Sequence, residues 1–252
     1  MKTRMKMRGL TGLGAVVLFG VASTASAQLL ITEIHSNQSL SGAAFQDWFE
    51  VTNFGGSAVD LTGWIFDDES ANPAAGFRFG DLSIAAGESI VFVETLNPEQ
   101  FRNWWGPLEG VQIVTYSGSG LGLGRGDAVN LFDADGELQL SLSYRAPGGF
   151  ITSDGSPSGF DPTDPTRQPH AGQAAGAIET WISLVWDPAF GIDAPRYTFA
   201  VDGVNGAFQA EGFSATGARA LDVGSPGAVI PAPGTVALLG LSGLVAFGRR
   251  RR

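Results

Sequence analysis

Apolar and polar residues alternate with a period of two along much of the chain, the signature of strands with one buried face. In "LLITEIHS" (29–36), Leu30, Thr32 and Ile34 fall on one face and Ile31, Glu33 and His35 on the other. "QDWFEVTN" (46–53) predicts a second strand, closed by "NFGG", where Asn and Gly accept positive φ at little cost. Further strands are predicted within "SAVDLTGWIFDDE" (57–69) and "GFRFGDLSIAAGESIVFVET" (76–95), the latter turning at Ala86-Gly87-Glu88. "NPEQFRNWWG" (97–106) is the helical pattern of this half, with Asn97 as cap and Pro98 at the first helical position. "DAVNLFDADGELQLSLSY" (127–144) predicts a hairpin around Asp135-Gly136. Trp64, Phe66, Phe77, Phe79, Leu82, Ile90, Phe92, Val129 and Leu131 supply one apolar face per strand. Two such sheets bury those faces only by packing against each other, and each fully buried side chain contributes ~1.5–3 kcal/mol.

After Tyr144 the alternation gives way to Pro- and Gly-crowded sequence, read as loop or linker. Weaker strands are predicted in "ETWISLVWDP" (179–188), "PRYTFAV" (195–201) and "AEGFSATGA" (210–218), and "DVGSPGAV" (222–229) reads as loop. The expected fold is all-β, a β-sandwich over 28–145. Residues 146–228 either enlarge the same sandwich or form a small β unit of their own.

The two ends carry a different message. "MKTRMKMR", an apolar stretch and Ala25-Ser26-Ala27 together form a secretory signal peptide over 1–27, whose cleavage leaves Gln28 first. The other end (229–252) runs through Pro231-Ala232-Pro233-Gly234 and an uncharged segment to Gly248, then closes on Arg249, Arg250, Arg251 and Arg252. As a helix the apolar segment spans about 22 Å, short of the ~30 Å hydrocarbon core. It suits a transient stay in a membrane with the arginines cytoplasmic. The alternative is an ordinary C-terminal anchor.

Charge sharpens the picture. Of 15 basic residues, four lie in the first eight positions and four close the chain. The body between Gln28 and Gly248 therefore holds seven, against all 25 acidic residues, a net −18. Such a body repels nucleic-acid phosphates and attracts divalent cations. With no cysteine in the sequence, the exported chain holds together by burial alone.

The tail resembles the PEP-CTERM sorting signal, which exosortases read in Gram-negative bacteria; Ala232 stands where that family has Glu. The resemblance implies an exosortase-like partner, passage through the inner membrane, and delivery to the cell surface or extracellular matrix. The body resembles the lamin-tail domain, an immunoglobulin-like β-sandwich of nuclear lamins and secreted bacterial proteins. The likeness rests on "ITEIHSN", "DWFEVTNFGGSAVDLTGWIFDD", "FRFGDLSIAAGESIVFV" and "LGRGDAVNLFDADGELQLSLSY". Its most specific part is Glu50-Val51-Thr52-Asn53 followed by Leu61-Thr62-Gly63-Trp64, with Thr62 replacing Ser. It implies a non-catalytic module that contacts protein or polysaccharide.

Catalytic chemistry has little to build on. Cysteine is absent and only two histidines, His35 and His170, are present, so any Ser-His-Asp triad must use one of them. The Gly-rich "SGSGLGLGRGD" (117–127) lacks the Lys-Ser/Thr of a phosphate loop and reads as a flexible approach to the hairpin. Glu33 and His35 share a strand face, with Glu50 close if the strands pair; the favoured reading is that they are solvated, or that Glu50 caps amides near Asn53. Calcium is the one cofactor to weigh: Asp67, Asp68 and Glu69 cluster oxygen donors, as do Asp133, Asp135 and Glu137. The second run starts like an EF-hand loop but has Tyr144 where the bidentate Glu belongs. Asp161 and Asp164 are a further pair. Trp104-Trp105 are either core or a platform for sugar rings. A secreted hydrolase and an architectural spacer are the competing functions.

Overall fold

A computed structural model describes residues 28–36, 47–124, 127–144, 181–192, 195–213 and 217–228. The signal peptide, Arg125, Asp161, Asp164, His170 and the sorting residues from Pro231 to Arg252 lie outside the described residues. Among the described residues the regular structure is nearly all strand, with little helix. β1 (Leu29–His35), β2 (Trp48–Asn53), β3 (Val59–Asp60), β4 (Ile65–Asp67), β5 (Phe77–Arg78), β6 (Ser83–Ile84) and β7 (Ser89–Glu94) come first. Helix α1 (Pro98–Trp105) follows, then β8 (Gln112–Tyr116), β9 (Asp127–Phe132) and β10 (Leu138–Tyr144). The last part holds β11 (Leu184–Trp186), β12 (Tyr197–Phe199), β13 (Phe208–Gln209) and β14 (Val223–Gly224).

Two sheets face each other. One has six strands in the order β12-β11-β1-β2-β7-β8, the other four in the order β10-β9-β4-β5. Between them lies the main core, where Ile31, Ile34, Phe49, Phe92 and Trp186 of the larger sheet meet Phe66, Val129, Leu131 and Leu142 of the smaller. β3 and β6 pair separately, as do β13 and β14. The strands beyond the Gly/Pro-rich stretch continue the larger sheet, because β11 pairs with β1 through Glu33↔Val185 and Ile34↔Leu184.

The larger sheet is covered on its second face as well. Helix α1 lays Phe101, Trp104 and Trp105 against Trp48, Val91 and Val93, and Ala210 and Ala220 close the cluster. Asn97 begins the helix through a capping box: its Oδ1 accepts from Gln100 N at 2.9 Å, and Gln100 Oε1 accepts from Asn97 N at 3.1 Å. The hairpin at Asp135-Gly136 forms as its residues predict, with Gly136 at φ 88°.

Several expectations need correction. Strict alternation in β1 fails, because its pairing with β2 slips at a bulge between Ile31 and Glu33. Ile31 and Ile34 therefore both enter the main core, and the Ile31 carbonyl is left to accept the buried Tyr197 hydroxyl at 2.7 Å. β8 was not foreseen despite its β-branched "QIVTY"; it runs parallel to β7, a pairing made possible by the crossover through α1. "AEGFSATGA" forms no strand among its described residues, where Phe213 makes a single bridge to Arg219, whereas Val223–Gly224 in the expected loop is strand β14. The Gly-rich approach is also better fixed than expected, since Leu121 and Leu123 are buried in the main core. No helix of the described residues is long and apolar enough to cross a membrane.

Candidate functional site

The bulge in β1 determines the most polar part of the interior. Glu33 pairs with Glu50 across β1 and β2, and both carboxylates are buried, as is His35; the solvated reading of these residues is overturned. Burying a charge without partners is strongly unfavourable. The partners arrive from the far end of the chain. Ser225 donates to Glu33 twice, from N to Oε1 at 2.8 Å and from Oγ to Oε2 at 2.6 Å. Gly227 N donates to Glu50 Oε2 at 2.6 Å, and the Thr32 hydroxyl lies 2.5 Å from Glu50 Oε1. A hydroxyl chain continues through Thr52 (2.9 Å from Thr32) to Ser89 (2.6 Å).

These contacts do not offset desolvation fully. Burial pushes the Glu33 carboxyl above its ordinary range against the lowering effect of Ser225 and Ser183. Burial, then the charge of Glu33, pushes Glu50 up to about 8. Glu50 does not cap the neighbouring turn. That task falls to Asn53, whose Nδ2 donates to the Ser57, Ile84 and Ala85 carbonyls while Oδ1 accepts from Gly55 N.

Beside the carboxylates stands a Ser-His-carboxylate series. His35 Nε2 is 3.0 Å from Asp222 Oδ1, and His35 Nδ1 is 3.0 Å from Ser183 Oγ. The residue types and order are those of a nucleophile relay, which also needs an exposed hydroxyl, oxyanion donors and room for a substrate. Ser183 and Asp222 are 0% exposed. The His35 ring is stacked on Trp48 at 5.6 Å and edge-on to Trp105 at 5.2 Å. A Cβ added to Gly224 would stand 2.6 Å from both Ser183 Oγ and Glu33 Oε1, so backbone seals the hydroxyl on that side. The arrangement fastens the last described segment, 181–228, to β1 and β2. The same packing buries Trp104 and Trp105, which present no platform to sugars.

The calcium candidates separate. Asp133 Oδ1 accepts the Asp135 and Glu137 amides and its Oδ2 accepts from Gln139 Nε2, so its oxygens organise the hairpin turn; Asp135 lies in that turn. Asp68 and Glu69 are brought instead to Asp127, which the sequence had shown only as the start of a strand. Ligand oxygens of the three lie within 4.8 Å of one another. Burial, and less strongly Glu69 and Asp67, pushes Asp68 up to about 7, and Asp127 is raised well above its usual value by burial and by Glu69. Asp67 is 1% exposed and raised by burial.

The surface offers one broad polar groove among those described, ≈ 580 Å³, lined by Asp60, Thr62, Asp81, Ser83, Glu88 and Gln112. It lies over β3 and β6, and Asp60 is held low by hydrogen bonds from Thr62.

Residues 22–146 match the Lamin Tail Domain family. The matched segment holds β1 to β10, whereas β11 to β14 fall beyond it. No curated protein matches the chain.

Proposed function

Taking a lamin tail domain over residues 22–146 as the premise, we propose that this chain is a non-catalytic exported protein of the bacterial surface or extracellular matrix. Its sandwich contacts polysaccharide or a surface protein. Its C-terminal signal, Pro231-Ala232-Pro233-Gly234 through Arg249–Arg252, is read by an exosortase-like membrane enzyme that sorts it to that location. The observation that carries the reading is the pairing of this domain with charge signals at both ends of an acidic, cysteine-free body. The sealed Ser183 supports a fastening role for the Ser-His-Asp series over the hydrolase reading. The open groove over β3 and β6, with hydroxyl, carboxylate and amide groups converging, suits the hydroxyls of a sugar chain better than the spacer reading does.

Intact mass of the protein recovered from the host's outer surface, with and without the sorting enzyme, tests this. The expected species begins at Gln28 and ends near Pro231–Gly234, and disappears when the enzyme is absent. A species that keeps the four arginines overturns sorting and leaves an ordinary anchor.

A further inference from the structure

The last described turn of the chain closes over the buried carboxylate pair. Ser225-Pro226-Gly227-Ala228 has the residues of a type II turn, proline second and glycine third. Gly227 sits at φ 76°, and Ala228 N donates to the Ser225 carbonyl at 2.9 Å. The other two amides of the turn go to the carboxylates, Ser225 N to Glu33 and Gly227 N to Glu50. One proline and one alanine are the apolar surface that the turn brings, so its attachment rests chiefly on these polar bonds. Between the turn and the strands is a cavity of ≈ 10 Å³, bordered by Thr32, Glu50, Thr52, Ser225 and Ala228, about the room that one water needs.

Glu33 and Glu50 stand opposite each other across β1 and β2, 1% and 2% exposed. Among the described residues no arginine forms an ion pair with either. The titratable groups beside them are His35 on β1 and Asp222 on the C-terminal segment. Both ring nitrogens of His35 are engaged, Nε2 with Asp222 and Nδ1 with Ser183, at 3.0 Å each. β7 sets Val91 opposite Glu50, and β11 sets Val185 opposite Glu33. Helix α1 contributes Trp105, 3.1 Å from where a Gly224 Cβ would stand. Every donor to the pair is thus a neutral amide or hydroxyl. Two like charges side by side in the interior repel each other and forgo hydration, so double ionisation works against the closed turn. Water is the compensation within reach, and it arrives once the turn lifts.

We propose that Ser225–Ala228 is a pH-sensitive latch: the turn closes on Glu33 and Glu50 while the pair holds a proton, and lifts away reversibly, ahead of the rest of the fold, once both carboxylates are charged. Burial raises both carboxyls in the closed form, and the charge of Glu33 helps to push Glu50 up to about 8. With the turn lifted, water reaches the pair and Glu50 returns toward its ordinary 4.5. Between those two values opening releases a proton. The lifted form therefore gains as pH rises, by at most about tenfold per pH unit for one group, and its share is flat below and above that window. The cavity gives the first entering water a polar foothold. The hydroxyls of Thr32, Thr52 and Ser89 form one chain from Glu50, and they can point their hydrogens toward it when charged or away from it when protonated. Lifting detaches the chain beyond Ala228 while β11 stays paired with β1.

Hydrogen exchange of the full chain at pH 5, 6.5 and 8 tests this, read by mass spectrometry on the fragment holding 223–228 and on fragments from β9 and β10. Protection is taken relative to the intrinsic exchange rate at each pH. For the Ser225, Gly227 and Ala228 amides it should fall at least tenfold from pH 5 to 8. At pH 8 it should also lie at least a hundredfold below that of β9 and β10, the mark of a local opening. Glu50→Gln removes one of the two charges and keeps a carbonyl for Gly227 N, so its fall should be at least threefold smaller. Protection that stays constant with pH overturns the latch. Protection equal to that of β9 and β10 at pH 8 overturns it as well, because the turn then opens only with the whole fold. A fall of full size in Glu50→Gln overturns the role of the carboxylate pair. The comparison of fragments uses the native sequence and decides the matter whether or not the variant folds.

Discussion

Glu50 behaves as an acid whose proton is part of the fold. Its ordinary pKa of 4.5 rises to about 8 in the native chain, through burial first and the charge of Glu33 second. Below pH 4.5 both native and unfolded chains carry the proton, so the stability associated with this group is fully present and does not change with pH. Between 4.5 and about 8 the unfolded chain ionises while the native one holds its proton, so stability falls as pH rises, and above that range the loss levels off. A single group contributes a slope of at most about 1.4 kcal/mol per pH unit. Melting temperatures measured from pH 5 to 8 should therefore drop more steeply in the native sequence than in Glu50→Gln. The variant's amide carbonyl can accept from Gly227 N, as Glu50 Oε2 does, and its amide nitrogen faces the Thr32 hydroxyl. Equal slopes would mean that Glu50 is ionised in the folded chain. Some slope should remain in the variant, since burial raises Glu33 as well.

Little of this was legible in the local sequence. Glu33, His35 and Glu50 read as outward-facing in an alternating strand, and alternation says nothing of what covers the second face. Their partners lie 148 residues away for Ser183, 187 for Asp222 and 192 for Ser225. Asp127 was likewise invisible as a neighbour of Asp68 until the β4–β9 register was known, although Asp68-Glu69 itself stood out. Asn53 was readable as a turn residue, because Asn in "NFGG" bonds with its own local backbone.

Among the elements, those with local chemistry were legible and those defined by pairing were not. Helix α1 declares itself through Asn97, Pro98 and Gln100, and Asn97→Ala should cost about 1 kcal/mol by removing the acceptor for Gln100 N. Denaturant unfolding measures this: the midpoint should fall with the m-value unchanged. No loss would place the helix's stability wholly in Phe101, Trp104 and Trp105, its buried face. The bulge in β1 carries no residue signature, since Thr32 is an ordinary strand residue; it becomes necessary only because Ile31 and Ile34 must both reach the main core. β8 escaped notice because it lies between a helix and a Gly-rich run, and its parallel pairing with β7 cannot be read from a hairpin turn.

For the whole molecule, the matched segment does not bury its own surfaces. β1 sits between β2 and β11 in the larger sheet, and the Glu33 and Glu50 carboxylates are satisfied by residues 225 and 227. A chain ending at residue 145 would open the β1 edge and leave both carboxylates without those donors. Leaving a buried hydrogen-bonding group without its partner costs about 1–3 kcal/mol, and here two such groups lose theirs together. Such a chain should lose its cooperative thermal transition and bind a hydrophobic dye, whereas a sharp transition like that of the full chain would show residues 28–145 to be self-sufficient.

The place where the last described residues attach also sets how the molecule would respond to tension. Ser225 and Gly227 are fixed to β1 and β2, the two middle strands of six, and the chain runs on from Ala228 to Arg252. A pull on that tail does not peel an edge strand one bond at a time. It is delivered to the midline of the sheet, where the carboxylate contacts on neighbouring strands share the strain and must yield together.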